Sequence, residues 1–198
     1  LAAVTVPNAN ALGGFEGVWG SSADDVWVIR TSDAFHLHDG TWTKEQIGSG
    51  THGFAGASWI TGRAGSPSDV FAVGDTHVRA WNGKAWKDVF QVGFPAINAS
   101  WKSPGGDLWF VGANGTILRA AQGGALRAMK TAATKESTTN LRAVWGASPS
   151  AVFAVGDSGT VLRFDGTAWS KMDFPLHTVT LIDISGSSAS DVYAVGGG

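Results

Sequence analysis

The sequence has no cysteine and a single tyrosine, and only 15% of its 198 residues are charged. Without cysteine there is no disulfide, no thiolate metal site and no cysteine nucleophile. A formal net charge of −2 supplies no basic field to draw nucleic acid, and no polybasic cluster marks a membrane surface. The apolar runs are of strand length, which argues against a membrane-spanning helix and against membrane insertion. Helical periodicity is also scarce. The Ala/Lys-rich run 120–135 comes nearest, and its Gly123-Gly124 pair reads better as a hairpin followed by a loop.

Glycine and tryptophan are abundant instead, at 28 and 10 residues. The stretch Leu141–Trp169, LRAVWGASPSAVFAVGDSGTVLRFDGTAW, shows what they are for. Leu141–Gly146, Val152–Gly156 and Thr160–Phe164 have strand period and β-branched or aromatic content, and a fourth strand begins at Trp169. Ser/Pro, Asp-Ser-Gly and Asp-Gly-Thr joints separate them, each with turn chemistry. The same pattern recurs, with second strands starting at Val26, Val70, Leu108, Val152 and Val192, in steps of 44, 38, 44 and 40 residues. A repeat of about 40 residues holding four strands is the signature of a propeller blade. Such a sheet is apolar on both faces and must be sandwiched between neighbours.

The predicted fold is therefore all-β: a β-propeller of about five four-stranded antiparallel blades in one domain, 1–198. The blades cover approximately 12–47, 54–90, 96–130, 140–174, and 181–198 together with 1–7. The fifth copy stops after two strands. Leu1–Val6 matches the segment after Trp169 in its distance to Pro7, with Val4 and Val6 at the places of Met172 and Phe174. This predicts that the N-terminal segment is the outermost strand of the last blade. The alternative is a slice of a six- to eight-bladed ring. The chain begins at Leu1 without Met or a signal-like segment, and is expected to be a mature or excised piece of something longer.

Repeats of this form, with L-x-A-V-W-G-S-S-P-S-D-V-F-A-V-G followed by G-T-x-L and D-G-T-x-W, resemble those of secreted bacterial β-propellers. They are loosely similar to tectonin and tachylectin-type propeller lectins and to the Asp-box repeats of sialidase-like propellers. Asp165-Gly166-Thr167-Ala168-Trp169 keeps only the Asp, Gly and Trp of the Asp-box, at altered spacing, which weakens the sialidase comparison. The resemblance implies a non-catalytic, extracytoplasmic binding module, secreted or on a cell surface, with no cofactor. Its first expected partner is a carbohydrate or surface glycan, bound as lectins bind. The alternative is a protein partner held by an interaction scaffold within a larger surface protein. A sialidase-like glycoside hydrolase comes third.

Most aromatic residues recur at fixed places and read as blade packing. Trp27, Phe71, Trp109, Phe153 and Tyr193 share one; Trp42, Trp86 and Trp169 share a second, with Leu126 standing in. Trp19, Trp101 and Trp145 share a third, where the fifth copy has Ser185. Arg79, Arg119 and Arg163 recur as well, and are expected to cover blade edges with their stems. Residues that break the pattern, or sit at turns, are the candidates for ligand contact. In a lectin, Trp59 and Trp81 would stack on sugar faces, and Arg30, Asp75, Asn114 and Asp157 at neighbouring turns would bind hydroxyls.

His36 and His38 alternate on one face of a strand, a spacing that can grip a metal ion. They align with Leu162 and Phe164, and no third ligand stands beside them in the sequence, so a packed or edge pair is the preferred reading. The Asp at the entrance of the second strand (Asp25, Asp69, Asp107, Asp191) reads as a turn-capping side chain. No Gly-x-Ser-x-Gly elbow, carboxylate pair or phosphate loop is present. Connections between blades vary most (Gln46–Gly53, Phe90–Ala96, Met129–Asn140, Asp173–Thr180), and a grafted site is expected on the rim they share.

Overall fold

The computed structural model describes residues 6, 14–30, 33–47, 57–63, 69–74, 77–91, 96–122, 124–129 and 139–198. The chain divides into two compact units, Leu1–Phe94 and Pro95–Gly198. Among the described residues no helix is long and apolar enough to cross a membrane.

The first unit holds two up-and-down antiparallel sheets. One is built from β1 (Gly17–Ser22), β2 (Asp25–Arg30), β3 (Asp33–His38) and β4 (Thr41–Gln46). The other comprises β5 (Ala57–Gly62), β6 (Val70–Gly74), β7 (His77–Trp81) and β8 (Trp86–Gln91). The second unit adds a sheet of β9 (Ile97–Lys102), β10 (Leu108–Gly112), β11 (Ile117–Ala120) and β12 (Leu126–Ala128). Next comes one of β13 (Leu141–Ser148), β14 (Ala151–Gly156), β15 (Val161–Phe164) and β16 (Trp169–Lys171). A final two-stranded sheet pairs β17 (Thr180–Ser188) with β18 (Asp191–Gly197). The run 120–135 forms a hairpin as far as Ala128, as its Gly pair predicts. The proposed return of Leu1–Val6 as an outer strand falls on residues that, Val6 apart, lie outside the described ones.

Within each unit the sheets stack face to face. Trp27, Ile29 and Ala34 of the first sheet bury against Ile60, Val70, Ala72 and Trp81 of the second. Trp109, Val111 and Ile117 of the third meet Val144, Val152, Leu162, Phe164 and Trp169 of the fourth. Ala143, Phe153 and Val155 on the other face of the fourth meet Leu181 and Ile184 of the fifth. The first strands of stacked sheets also adjoin, β1 with β5, β9 with β13 and β13 with β17. Each fully buried aromatic or branched side chain contributes about 1.5–3 kcal/mol by leaving water.

The tryptophan and glycine of the first strands have a specific purpose. The ring of Trp19 lies where a Cβ on Gly62 would sit, 2.6 Å from the nearest ring atom. Trp101 covers Gly146 at 2.6 Å and Trp145 covers Gly186 at 2.9 Å in the same way. In these three pairs one repeat carries the ring and the next, having no Cβ, provides its seat. The second sheet has Thr61 opposite Phe71, where the first, third and fourth place Trp opposite the second-strand aromatic. Its Trp59 stands two residues earlier, opposite Val73, at the place that Gly17, Ala99 and Ala143 hold elsewhere.

Hairpin length decides where the third strands fall. In the fourth sheet Asp165–Ala168 is a four-residue loop between Phe164 and Trp169. Its Asp165 carboxylate accepts from the backbone N–H of Thr167 and Ala168, at 2.8 Å each. Asn82 caps the corresponding loop of the second sheet through Lys84 and Ala85. In the first sheet the pairing runs one residue further, to His38 opposite Thr41. Asp39 and Gly40 alone then make the turn, with φ of 48° and 71°, the conformation two-residue hairpins require. The chain also returns from the second strand to the third one residue sooner here, with Ile29 opposite Ala34 where Val155 lies opposite Val161, so the ungapped alignment of His36 and His38 with Leu162 and Phe164 is corrected by one residue. His36 faces Trp27 as Arg163 faces Phe153, and Leu37 takes the place of Phe164. A similar shift removes Arg79 from the Arg119 and Arg163 set, because Arg79 faces Ala72.

Candidate functional site

The Asp at the entrance of the second strand is the acceptor of a recurring clamp. In the third sheet Arg119 donates to Asp107 through Nε at 3.0 Å and Nη2 at 2.5 Å. Its guanidinium lies 5.0 Å over the Trp109 ring, a cation–π contact. In the second sheet Arg63, just beyond β5, donates to Asp69 at 2.6 Å and lies 6.0 Å over Phe71. In the fourth, Ala151 replaces the carboxylate and Arg163 alone covers Phe153 at 6.0 Å. In the first, a histidine takes the position: His36 Nε2 is 2.7 Å from Asp25 Oδ1, and its ring stacks on Trp27 at 3.9 Å and 11°. In the fifth, hydroxyls of Ser187 and then Tyr193 hold the Asp191 carboxyl below its ordinary value. These carboxylates tie neighbouring strands together, where their sequence position reads as turn-capping.

Of the six residues proposed for sugar contact, five lie among the described residues. Trp81 is buried, its ring packed edge-on to Trp27 at 5.2 Å and against Trp86 at 5.7 Å, so neither ring face is open to a ligand. Trp59 is half-buried, and its indole N–H is enclosed with no acceptor. Arg30 is buried and pairs with Asp33 at 3.3 Å. Asn114 is exposed and makes the turn after β10 with φ of 54°. Asp157 accepts from Arg142 at 2.8 Å and 3.1 Å and from Asn140 at 3.1 Å. The Arg142 hydrogen bond, aided by its charge and by Asn140, holds the Asp157 carboxyl below its ordinary value despite partial desolvation. Asp75 lies outside the described residues.

A different group comes together on the variable rim. Asp173–Thr180 is the one inter-sheet connection described throughout. Its chain passes so close to the β14–β15 hairpin that Gly159, at φ 61°, leaves no room for a Cβ beside the Leu176 carbonyl. Beside it opens a recess of about 280 Å³ lined by Gly159, Lys171, Met172, Asp173, Phe174 and His177. Met172 and Leu176 are large apolar side chains exposed here. Lys171, Asp173 and His177 supply both charge signs and an imidazole around them. Sequence reasoning named this connection as one of four that vary between copies. It missed the individual residues, because nothing local marks them.

Up-and-down sheets of four antiparallel strands, repeated about every 40 residues and stacked face to face, are blades of a β-propeller. The chain belongs to the family of photosynthesis system II assembly factor YCF48, whose model matches residues 30–165. No curated protein matches the sequence. Among solved structures, YCF48 from Cyanidioschyzon merolae aligns at 14% identity and a TM-score of 0.60, over 98% of this chain and 69% of that one. An ancestral GH74 enzyme aligns at 14% identity and a TM-score of 0.65, over 93% of this chain and 27% of its own. The extracellular domain of the putative hybrid two-component system BT4673 from B. thetaiotaomicron aligns at 9% and 0.60, over 92% and 26%. At these identities the likenesses establish the fold alone.

Proposed function

We propose that the chain is a non-catalytic interaction module that holds a polypeptide partner on its variable rim. Membership of a family described as an assembly factor supports a protein partner over a small substrate. One observation carries the choice between polypeptide and glycan. Sugar platforms most often use open indole faces, yet none of the ten tryptophans is exposed, and the exposed aromatic rings among the described residues are Phe15 and Tyr193. The apolar side chains exposed around the Asp173–Thr180 connection are Met172 and Leu176. Flexible aliphatic and thioether groups beside Lys171 and Asp173 suit the mixed side chains of a peptide. The extracytoplasmic placement rests on the repeat resemblance alone.

The test is binding of this chain to an array of overlapping peptides and, in parallel, to a broad glycan array. The proposal expects peptide signals that fall about tenfold or more, a loss of at least 1.4 kcal/mol, in Met172→Asp with Leu176→Asp. The melting temperature should stay unchanged. Glycan signals without peptide signals, or peptide binding indifferent to both substitutions, would overturn it.

A further inference from the structure

The clamp of the first sheet differs from its counterparts in carrying a second histidine beside the carboxylate. Register places Asp25 directly opposite His38, and Trp27 directly opposite His36. Directly opposed residues point to the same face, and so do residues two apart on a strand. Asp25, His36 and His38 therefore share one face of β2 and β3. Their donor atoms all lie within 4.8 Å of one another. The third ligand that the sequence did not show is supplied across the strand pair.

We propose that Asp25, His36 and His38 bind a divalent first-row transition ion, with zinc the best match to two imidazoles and one carboxylate. A tetrahedral zinc ion holds donors at about 2.0–2.2 Å from itself, hence roughly 3.3 Å from one another. The present spacing reaches this with a small outward shift of the Asp25–His36 contact, 2.7 Å now, and an inward turn of His38. Burial matches that division of labour: the His36 and Asp25 side chains are 12% and 9% exposed, and His38 is 58% exposed. Two ligands are fixed in place and the third is free to close. Supporting contacts are already made, since Ser21 Oγ donates to the second oxygen of Asp25 and the Trp27 stack sets the plane of the His36 ring. Such outer contacts orient ligands and raise affinity. The exposed side leaves the fourth position to water.

Comparison with the other sheets gives the second argument. Where the clamp needs only a cation, the chain uses Arg63 and Arg119. Arginine has no lone pair for a metal, while neutral histidine does. The arginine-to-histidine exchange occurs on the sheet whose β2–β3 register also brings His38 opposite the carboxylate.

Isothermal titration of this chain with zinc chloride tests the site, with cobalt(II) absorption as a second readout. One equivalent of zinc is expected, together with the visible bands of four-coordinate cobalt and a rise in melting temperature on loading. His36→Arg restores the clamp of the third sheet, so the metal-free protein should melt as before. Binding should weaken more than the roughly 10–100-fold typical of losing an outer-shell contact. His38→Ala, at an exposed position, should do the same and serves if His36→Arg does not fold. No stoichiometric binding by the unmodified chain, or binding that survives both substitutions, overturns the site.

Discussion

The fourth and fifth sheets begin with the same repeat pattern and end in different environments. Phe153 and Tyr193 occupy one repeat position, yet the first is 5% exposed and the second 70%. Val155 and Val195 share another, at 0% and 58%. Strand pairing is the same in both: Trp145 faces Phe153 as Ser185 faces Tyr193. The difference is the neighbour. The fourth sheet has a sheet stacked on each face, while among the described residues the fifth has one covered face. A core residue in this fold is therefore made by the adjacent repeat as much as by its own side chain, as expected of a quasi-one-dimensional protein.

Substitution at the shared aromatic position tests this most severely. Phe153→Ala should cost about 3–5 kcal/mol, the usual loss for a buried aromatic, read from denaturant unfolding. Tyr193→Ala should stay within about 0.5 kcal/mol, as exposed substitutions do. A Tyr193→Ala cost close to that of Phe153→Ala would break the contrast, and would mean that the outer face of β18 is covered in solution.

A smaller effect is expected at the glycine seats. An alanine Cβ at Gly146 would lie 2.6 Å from the Trp101 ring, whereas at Gly197 it would meet nothing within 4 Å. Gly146→Ala should destabilise by about 1–3 kcal/mol, the range for overpacking, and Gly197→Ala should leave the melting temperature unchanged. Equal effects would show that the ring shifts aside at no cost.

The smallest effect is a titration. Asp165 is pulled to about 2, chiefly by the Ala168 backbone N–H and then by the hydroxyl and N–H of Thr167. Its folded value lies below its unfolded one, so its contribution is fully present above the ordinary value of 3.8. It is lost as pH falls from there through about 2. A carboxyl 13C titration should give a midpoint near 2, moving up in Thr167→Ala. A midpoint in the ordinary range would mean that the loop opens in solution.

Much of the architecture is legible in sequence because its signals are local. Val152–Gly156 and its copies alternate and are bounded by turn residues, so strand, hairpin and period can be read directly. The places of Trp42, Trp86, Trp169 and Leu126 also follow, each pairing beside the third-to-fourth hairpin. The candidate sites resist reading for a register reason. Whether His38 meets Asp25 depends on the pairing of β2 with β3, where Ile29 faces Ala34 and the chain returns one residue sooner than in the fourth sheet, where Val155 faces Val161. A one-residue change in pairing moves a side chain to the opposite face. Trp59 and Trp81 attracted attention by departing from the consensus, but indole bulk next to small neighbours is also how a sheet fills its interior.

The tryptophan seats carry a consequence for how such a chain can be rearranged. Each ring belongs to one repeat and its socket to the next, so cutting between sheets separates a side chain from the backbone shaped to receive it. A transplanted sheet that brings Trp to a neighbour without the glycine collides; one that brings glycine without the Trp leaves a hole. The portable part of this protein is thus the junction: the end of one repeat together with the beginning of its successor.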